Sequence, residues 1–225
     1  METGECGACL QRITGGMQRP GGLVITERAL NLCDLAPGSR VLDAGCGSGV
    51  TLHHLRGRKV KACGLDLSME VLAEARAKDS DSQLVQATME ALPLRSGVFR
   101  GVLCECVLSH TNSEAVVREF SRILEKGGFL ILSDLYRLKG EFSAPPGMEI
   151  LDKGRIEGCL ARCGFCIASW EDRTADLKRL AAELIMSGCA LPPYYRASGP
   201  ACEMGNFALR GVGYYLLVAR RNDGD

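Results

Sequence analysis

The stretch Asp43-Ala44-Gly45-Cys46-Gly47-Ser48-Gly49 sets one carboxylate ahead of three alternate glycines. Glycine adopts left-handed backbone and lets a ligand approach the main chain where a side chain would block it. The N–H groups of such a turn, with the helix start behind it, favour an anionic group such as a carboxylate or phosphate. Spacing sorts the ligands. A dinucleotide fingerprint reads G-x-G-x-x-G, but position 50 is Val50. A phosphate loop ends in Gly-Lys-Ser/Thr, and no lysine is present here. A second carboxylate, Asp66, follows some twenty residues later, where it can accept both hydroxyls of a ribose.

Two further groups can take a proton. His110 has a ring nitrogen that is basic near neutral pH, and Glu105 is its equal as a candidate. His110 also stands at a helix start, where a histidine serves structure as well as catalysis. The chain has twelve cysteines. The pair Cys6-x-x-Cys9 has the spacing to bind a metal, exchange disulfides or capture a soft electrophile. Cys159, Cys163 and Cys166 read as small apolar core residues. No resident metal is expected.

Alternating strands and helices must position these groups. Val41 and Leu42 lead a buried strand over 40–44 into the glycine turn, and a helix follows from about 48 to 55. A second strand over 59–66 delivers Asp66, and Ser68 caps the helix after it. A short strand over 83–87, a strand within 98–110, a helix over 114–124 and an apolar strand over 129–134 follow. A helix near 151–163, a strand over 165–170, a helix over 176–186 and a strand over 211–220 complete the pattern. Ahead of all this, Thr26 is read as the cap of a helix from Glu27 to about Leu35. This alternation implies an open, doubly wound α/β sheet.

D-x-G-x-G-x-G, followed by an acidic second strand end, resembles the first motifs of class I S-adenosylmethionine-dependent methyltransferases. Three more stretches join it in order: Ala87-Thr88-Met89-Glu90-Ala91-Leu92-Pro93, Val98 to His110, and Leu124-Glu125-Lys126-Gly127-Gly128 before an apolar strand. The likeness is close over about 38–136 and weaker to the end. It implies a Rossmann-like, mostly parallel seven-stranded sheet with an antiparallel last strand between the fifth and sixth. The implied cofactor is S-adenosyl-L-methionine. Asp43 and Ala44 would lie at its ammonium, and Gly45, Cys46 and Gly47 beneath it. Asp66 would hold the ribose, Leu67 and Met89 would flank the adenine, and Thr88 would meet its amino group. Cys104 or Glu105 would line the methionyl end. Two positions depart from the family pattern: Thr88 and Arg100 both stand where an aspartate is usual. The nearest subgroup holds quinone-biosynthesis and arsenite methyltransferases.

The expected organisation is an N-terminal arm over 1–36 and a cofactor domain over 37–225, with an insertion at about 187–210. The arm either packs on the domain or closes over the ligand. Tyr194, Tyr195 and Arg196 in the insertion are acceptor contacts. Hydrophobic content of 46%, charged content of 24% and zero net charge fit a globular chain without a broad pull towards nucleic acid or anionic membrane. No apolar run approaches the ~20 residues that span a bilayer. An acidic start and moderate cysteine density point to a reducing cytoplasm. The expected partners are a small-molecule methyl acceptor and at most a second copy as a homodimer. Two rivals remain open: a binding or thiol-redox module on the same fold, and an aminopropyl transferase.

Overall fold

The computed structural model describes residues 19–139, 144–189 and 211–223. In chain order these form α1 (Gly22–Leu30), β1 (Arg40–Ala44), α2 (Val50–Gly57), β2 (Lys61–Asp66), α3 (Met69–Lys78) and β3 (Gln83–Gln86). Then come β4 (Phe99–Glu105), a 3₁₀ turn (Leu108–His110), α4 (Ser113–Ile123), β5 (Leu124–Arg137), α5 (Lys153–Arg162), β6 (Phe165–Asp172), α6 (Thr174–Met186) and β7 (Val212–Arg221). The seven strands form one sheet in the order β3-β2-β1-β4-β5-β7-β6. β1 to β5 pair in parallel, and β7 runs antiparallel between β5 and β6. This is the implied topology.

Apolar packing covers both faces, as a doubly wound sheet requires. Along β1, Leu42 and Ala44 join the layer under α4 and α5, while Val41 joins the layer under α1 and α6. The strand order reverses beside β1, where β2 leaves on one side and β4 on the other. Such a reversal opens a crevice beyond the carboxyl ends of the strands. Asp43, Asp66 and Glu105 are all delivered there.

Helix starts follow local chemistry where side chains can cap. Ser68 accepts from the Val71 N–H and Asn112 from the Ala115 N–H. The first helix corrects the sequence reading. It starts at Gly22, after Gly21 turns into left-handed backbone at φ 68°, so Thr26 lies inside it, fully buried. A Gly-Gly pair that looks like a loop is here the entry to a helix. Arg100 is also accounted for. Its guanidinium donates to the Asp34 and Gly127 carbonyls, pairs with Glu125 and lies 5.0 Å from the Phe129 ring centre. It ties the start of β4 to Gly127 near the start of β5.

Candidate active site

A cleft of about 390 Å³ opens over the strand ends, floored by the glycine turn. Gly45 is held at φ 80°, and a Cβ there would stand 2.5 Å from Val107 Cγ2. Only glycine fits. The turn satisfies itself. The Gly45 and Cys46 N–H groups both donate to the Leu65 carbonyl, at 2.7 and 2.9 Å. The Gly47 N–H donates to Asp66 Oδ2 at 2.9 Å, and the Gly49 N–H to the Cys46 carbonyl at 3.0 Å. The N–H groups of Gly45, Cys46, Gly47 and Gly49 are therefore already occupied. At these positions the floor offers a ligand close approach.

Asp66 lines the cleft with both oxygens accepting backbone N–H groups, from Gly47 and Ser68. A carboxylate has about four acceptor positions, so capacity for two hydroxyls is left. Asp43 is buried, with Oδ2 unpartnered among the described residues. Burial first, and then Glu105, push its pKa up from 3.8 to about 7, against the pull of Arg19. A buried acid with an unpartnered oxygen is a candidate binding group for a cationic ligand.

Glu105 is buried and fully engaged. The Thr26 hydroxyl donates to Oε1 at 2.9 Å, and Arg19 Nη2 lies 2.9 Å from Oε2. Arg19 Nη2 also donates to Thr26 Oγ1 at 2.7 Å and Thr51 Oγ1 at 3.1 Å. Burial opposes the Arg19 charge, yet Glu105, Tyr214, Asp43 and Cys106 together raise its pKa above the ordinary value. Its Nε is buried without a partner among the described residues. Arg19 escaped sequence reading because it precedes the first strand by some twenty residues and belongs to no motif. Thr26, read as a cap, is the hinge of this network.

At the other end, Asp134 accepts from the Ser109 N–H and hydroxyl and from the Leu135 N–H. Burial raises its pKa nevertheless. His110 lines the cleft beside it, with Met148, Leu135 and Leu177 as apolar wall.

The remaining expected contacts are dispersed. Ala44 and Cys104 are buried in the core, and the cysteines that line the cleft are Cys46 and Cys106. Met89 is buried in the core layer. Leu67 is 71% exposed, and Thr88 is exposed and bonded to Glu90. Cys6, Cys9, Tyr194, Tyr195 and Arg196 lie outside the described residues. Among the described residues no group of three or more His, Cys, Asp or Glu could hold a metal. Burial pushes the Cys46, Cys104 and Cys106 thiols up, away from reactive thiolate. Cys189 is disulfide-bonded, whereas eight described cysteines are free.

Residues 42–132 match the family described as Methyltransferase domain. The chain carries a class I methyltransferase domain. Among curated relatives, a malonyl-[acyl-carrier protein] O-methyltransferase of Enterobacter lignolyticus is 39% identical over 98 residues, covering 43% of this chain and 39% of that protein. Among solved structures, Haemonchus contortus phosphoethanolamine N-methyltransferase 2 in complex with S-adenosyl-L-methionine has a TM-score of 0.77 at 18% identity, covering 99% of this chain and 57% of that one. The [4+2]-cyclase SpnF has a TM-score of 0.77 at 22% identity, covering 96% and 93%. These two likenesses show the fold. The chain spans about half or less of the length of the first curated relatives it matches. The methyltransferase domain has no helix among the described residues that is long and apolar enough to cross a membrane.

Proposed function

We propose that the chain transfers a methyl group from S-adenosyl-L-methionine to a small-molecule acceptor. The observation that carries this reading is the cleft itself. A glycine floor built for close approach, a ribose-ready Asp66 and a buried acid, Asp43, with one unpartnered oxygen all fit an adenosyl sulfonium better than a dinucleotide. When bound, the group supplies an electrophilic methyl, so no metal or covalent enzyme intermediate is needed.

The residues have separable tasks. Asp43 faces the ammonium, Gly45 to Gly47 take the backbone-close surface, and Asp66 takes the ribose hydroxyls. Leu67, Thr88 and Met89 would take the adenine in this reading. Apolar Met148, Leu135 and Leu177 exclude water from the acceptor end, which concentrates the catalytic contribution in alignment. His110 is the group free to receive an acceptor proton. Glu105 is less suited, because Thr26 and Arg19 occupy its oxygens. The arm and the 187–210 insertion would flank the acceptor's entry. A cytoplasmic location and a homodimer belong to this reading as expectations.

A second reading keeps the fold and the cofactor site but not methyl transfer. The likeness to a protein named as a cyclase favours keeping it in view. Titration calorimetry separates it from the first in two stages. Micromolar binding of S-adenosylmethionine and S-adenosylhomocysteine by wild type, lost in Asp66→Ala, supports the cofactor site. An acceptor screen with quinone precursors, arsenite, carboxylic thioesters and phosphorylated amines then tests transfer. No binding by folded wild type would sink both readings.

A further inference from the structure

We propose that the methyl acceptor is an amine on an apolar body, received as an ammonium by Asp134 and relieved of its proton by His110. This inference rests on the cofactor reading and deepens it, because it names the chemical class that the remaining part of the cleft admits.

Three observations meet at that end of the cleft. First, Asp134 is a carboxylate only 3% exposed that lines the cavity, with no ion pair to lysine or arginine among the described residues. Its partners are the Ser109 N–H at 2.8 Å, the Ser109 hydroxyl at 2.9 Å and the Leu135 N–H at 2.7 Å, all of them neutral. A carboxylate has about four acceptor positions, so one is left, on Oδ2. Buried charges are ordinarily paired; burial raises the Asp134 pKa, and the nearby His110 ring draws it down. Second, the other acids of the cleft are engaged elsewhere. Glu105 is paired with Arg19, Asp43 faces the cofactor's ammonium, Asp66 its ribose, and Glu74 is exposed on α3. Third, Arg19 is the only lysine or arginine among the described residues that line the cleft, and Glu105 neutralises it. An anionic acceptor therefore meets a net negative space, whereas a cationic one is drawn in. Leu135, Met148 and Leu177 supply apolar surface for its body.

His110 follows Ser109 in the 3₁₀ turn, and that turn is held from two sides. Asp134 takes the Ser109 N–H and hydroxyl, while the Glu149 N–H donates to the Ser109 carbonyl at 2.6 Å. The imidazole is exposed at the cavity wall. An ammonium cannot attack a methyl carbon until it gives up a proton. That proton goes to the His110 ring, the freed lone pair forms the N–C bond, and the C–S bond breaks with its electron pair left on sulfur. The products are S-adenosylhomocysteine and a methylated ammonium, and His110 returns its proton to water. A positive charge stands at this end in each state: the arriving ammonium, the imidazolium and the product ammonium. A fixed negative charge at Asp134 suits all three without rearranging.

The test is calorimetric and uses the full chain saturated with S-adenosylhomocysteine. Three probes share one apolar skeleton and differ in charge: hexylamine, hexanol and hexanoate. At neutral pH the amine should bind at least about 10-fold tighter than the alcohol, with the carboxylate weakest. Asp134→Asn removes the charge and keeps an acceptor oxygen; it should bring the amine within about threefold of the alcohol and leave S-adenosylhomocysteine affinity unchanged. Ser109→Ala loosens the turn but keeps the charge, so the amine preference should survive in it. The wild-type series carries the test if Asp134→Asn does not fold. An alcohol or carboxylate that binds as tightly as the amine would overturn the proposal, as would binding of none of the three. So would a preference that outlasts the Asp134 charge or is lost in Ser109→Ala. Wild type that fails to take up S-adenosylhomocysteine would instead overturn the cofactor reading beneath it.

Discussion

At the crevice end of β1 and β4, Asp43 Oδ2 and Arg19 Nε are buried with no hydrogen-bond partner among the described residues. Along the β5-β7-β6 flank the buried polar groups are matched within the chain except Arg173 Nε, which has an ion-pair contact but no hydrogen bond among the described residues. Tyr214 donates to Ser133 Oγ at 3.0 Å, Arg173 pairs with Asp176 at 2.8 Å, and Trp170 stacks on Tyr215 at 4.7 Å between ring centres with Tyr136 edge-on. One flank is finished within the chain and the other is left open. Unmatched buried groups are rare in folded proteins, and two of the three among the described residues sit together at the crevice end, where a ligand would complete them. The antiparallel flank contributes rigidity; the parallel flank contributes chemistry at some expense of stability.

Replacing the open flank's acid should have the largest effect. Asp43→Asn should lose about 100-fold or more in affinity for S-adenosylmethionine while raising the melting temperature above pH 7. The sign follows from the raised pKa. The folded chain holds this proton more tightly than the unfolded chain, so Asp43 favours folding most at low pH, and that advantage erodes between about pH 4 and 7. Thermal melts at pH 5 and 8 check it. Similar behaviour of both proteins at pH 8 would end the claim that the open flank sacrifices stability.

Next comes Asp66→Ala, expected to weaken S-adenosylhomocysteine about 30-fold through lost ribose bonds and a loosened Gly47. A third effect is continuous. Affinity of wild type should fall about tenfold for each pH unit below 7 and level off above, because an ammonium prefers ionised Asp43. In Asp43→Asn that slope should vanish. Trp170→Ala probes the finished flank: a cost of about 2 kcal/mol in denaturant melts, with unchanged ligand affinity. A shift in affinity there would show that the two flanks are coupled. The smallest effect belongs to Thr88→Val, under about threefold in affinity, since the Thr88 hydroxyl is already bonded to Glu90.

The open flank was partly legible in the sequence because its floor is local. Asp43 and the glycines are consecutive residues whose types follow from backbone needs, and Asp66 ends the very next strand. The strand order was legible for the same reason, through recurring apolar runs and turns. The roof was not. Arg19, Thr26 and Met148 reach the cleft only through tertiary packing, and no spacing in the chain announces it. Cys104 and Cys106 show the limit from the other side. Strand alternation alone cannot say which cysteine faces the ligand when the chain leaves β4 through left-handed backbone, as Cys106 does at φ 59°. That the turn spends the N–H groups of Gly45, Cys46, Gly47 and Gly49 within the chain is likewise not announced by the glycine spacing.

The cleft draws its floor from inside the span 42–132 that matches the family, whereas Arg19, Pro20, Met148 and Leu177 come from outside it. Inheritance can therefore treat the two parts separately. Descendants of such a chain can swap the outlying pieces, and so the chemistry they admit, while the common span stays fixed by its own backbone. The molecule is a permanent socket with an interchangeable collar.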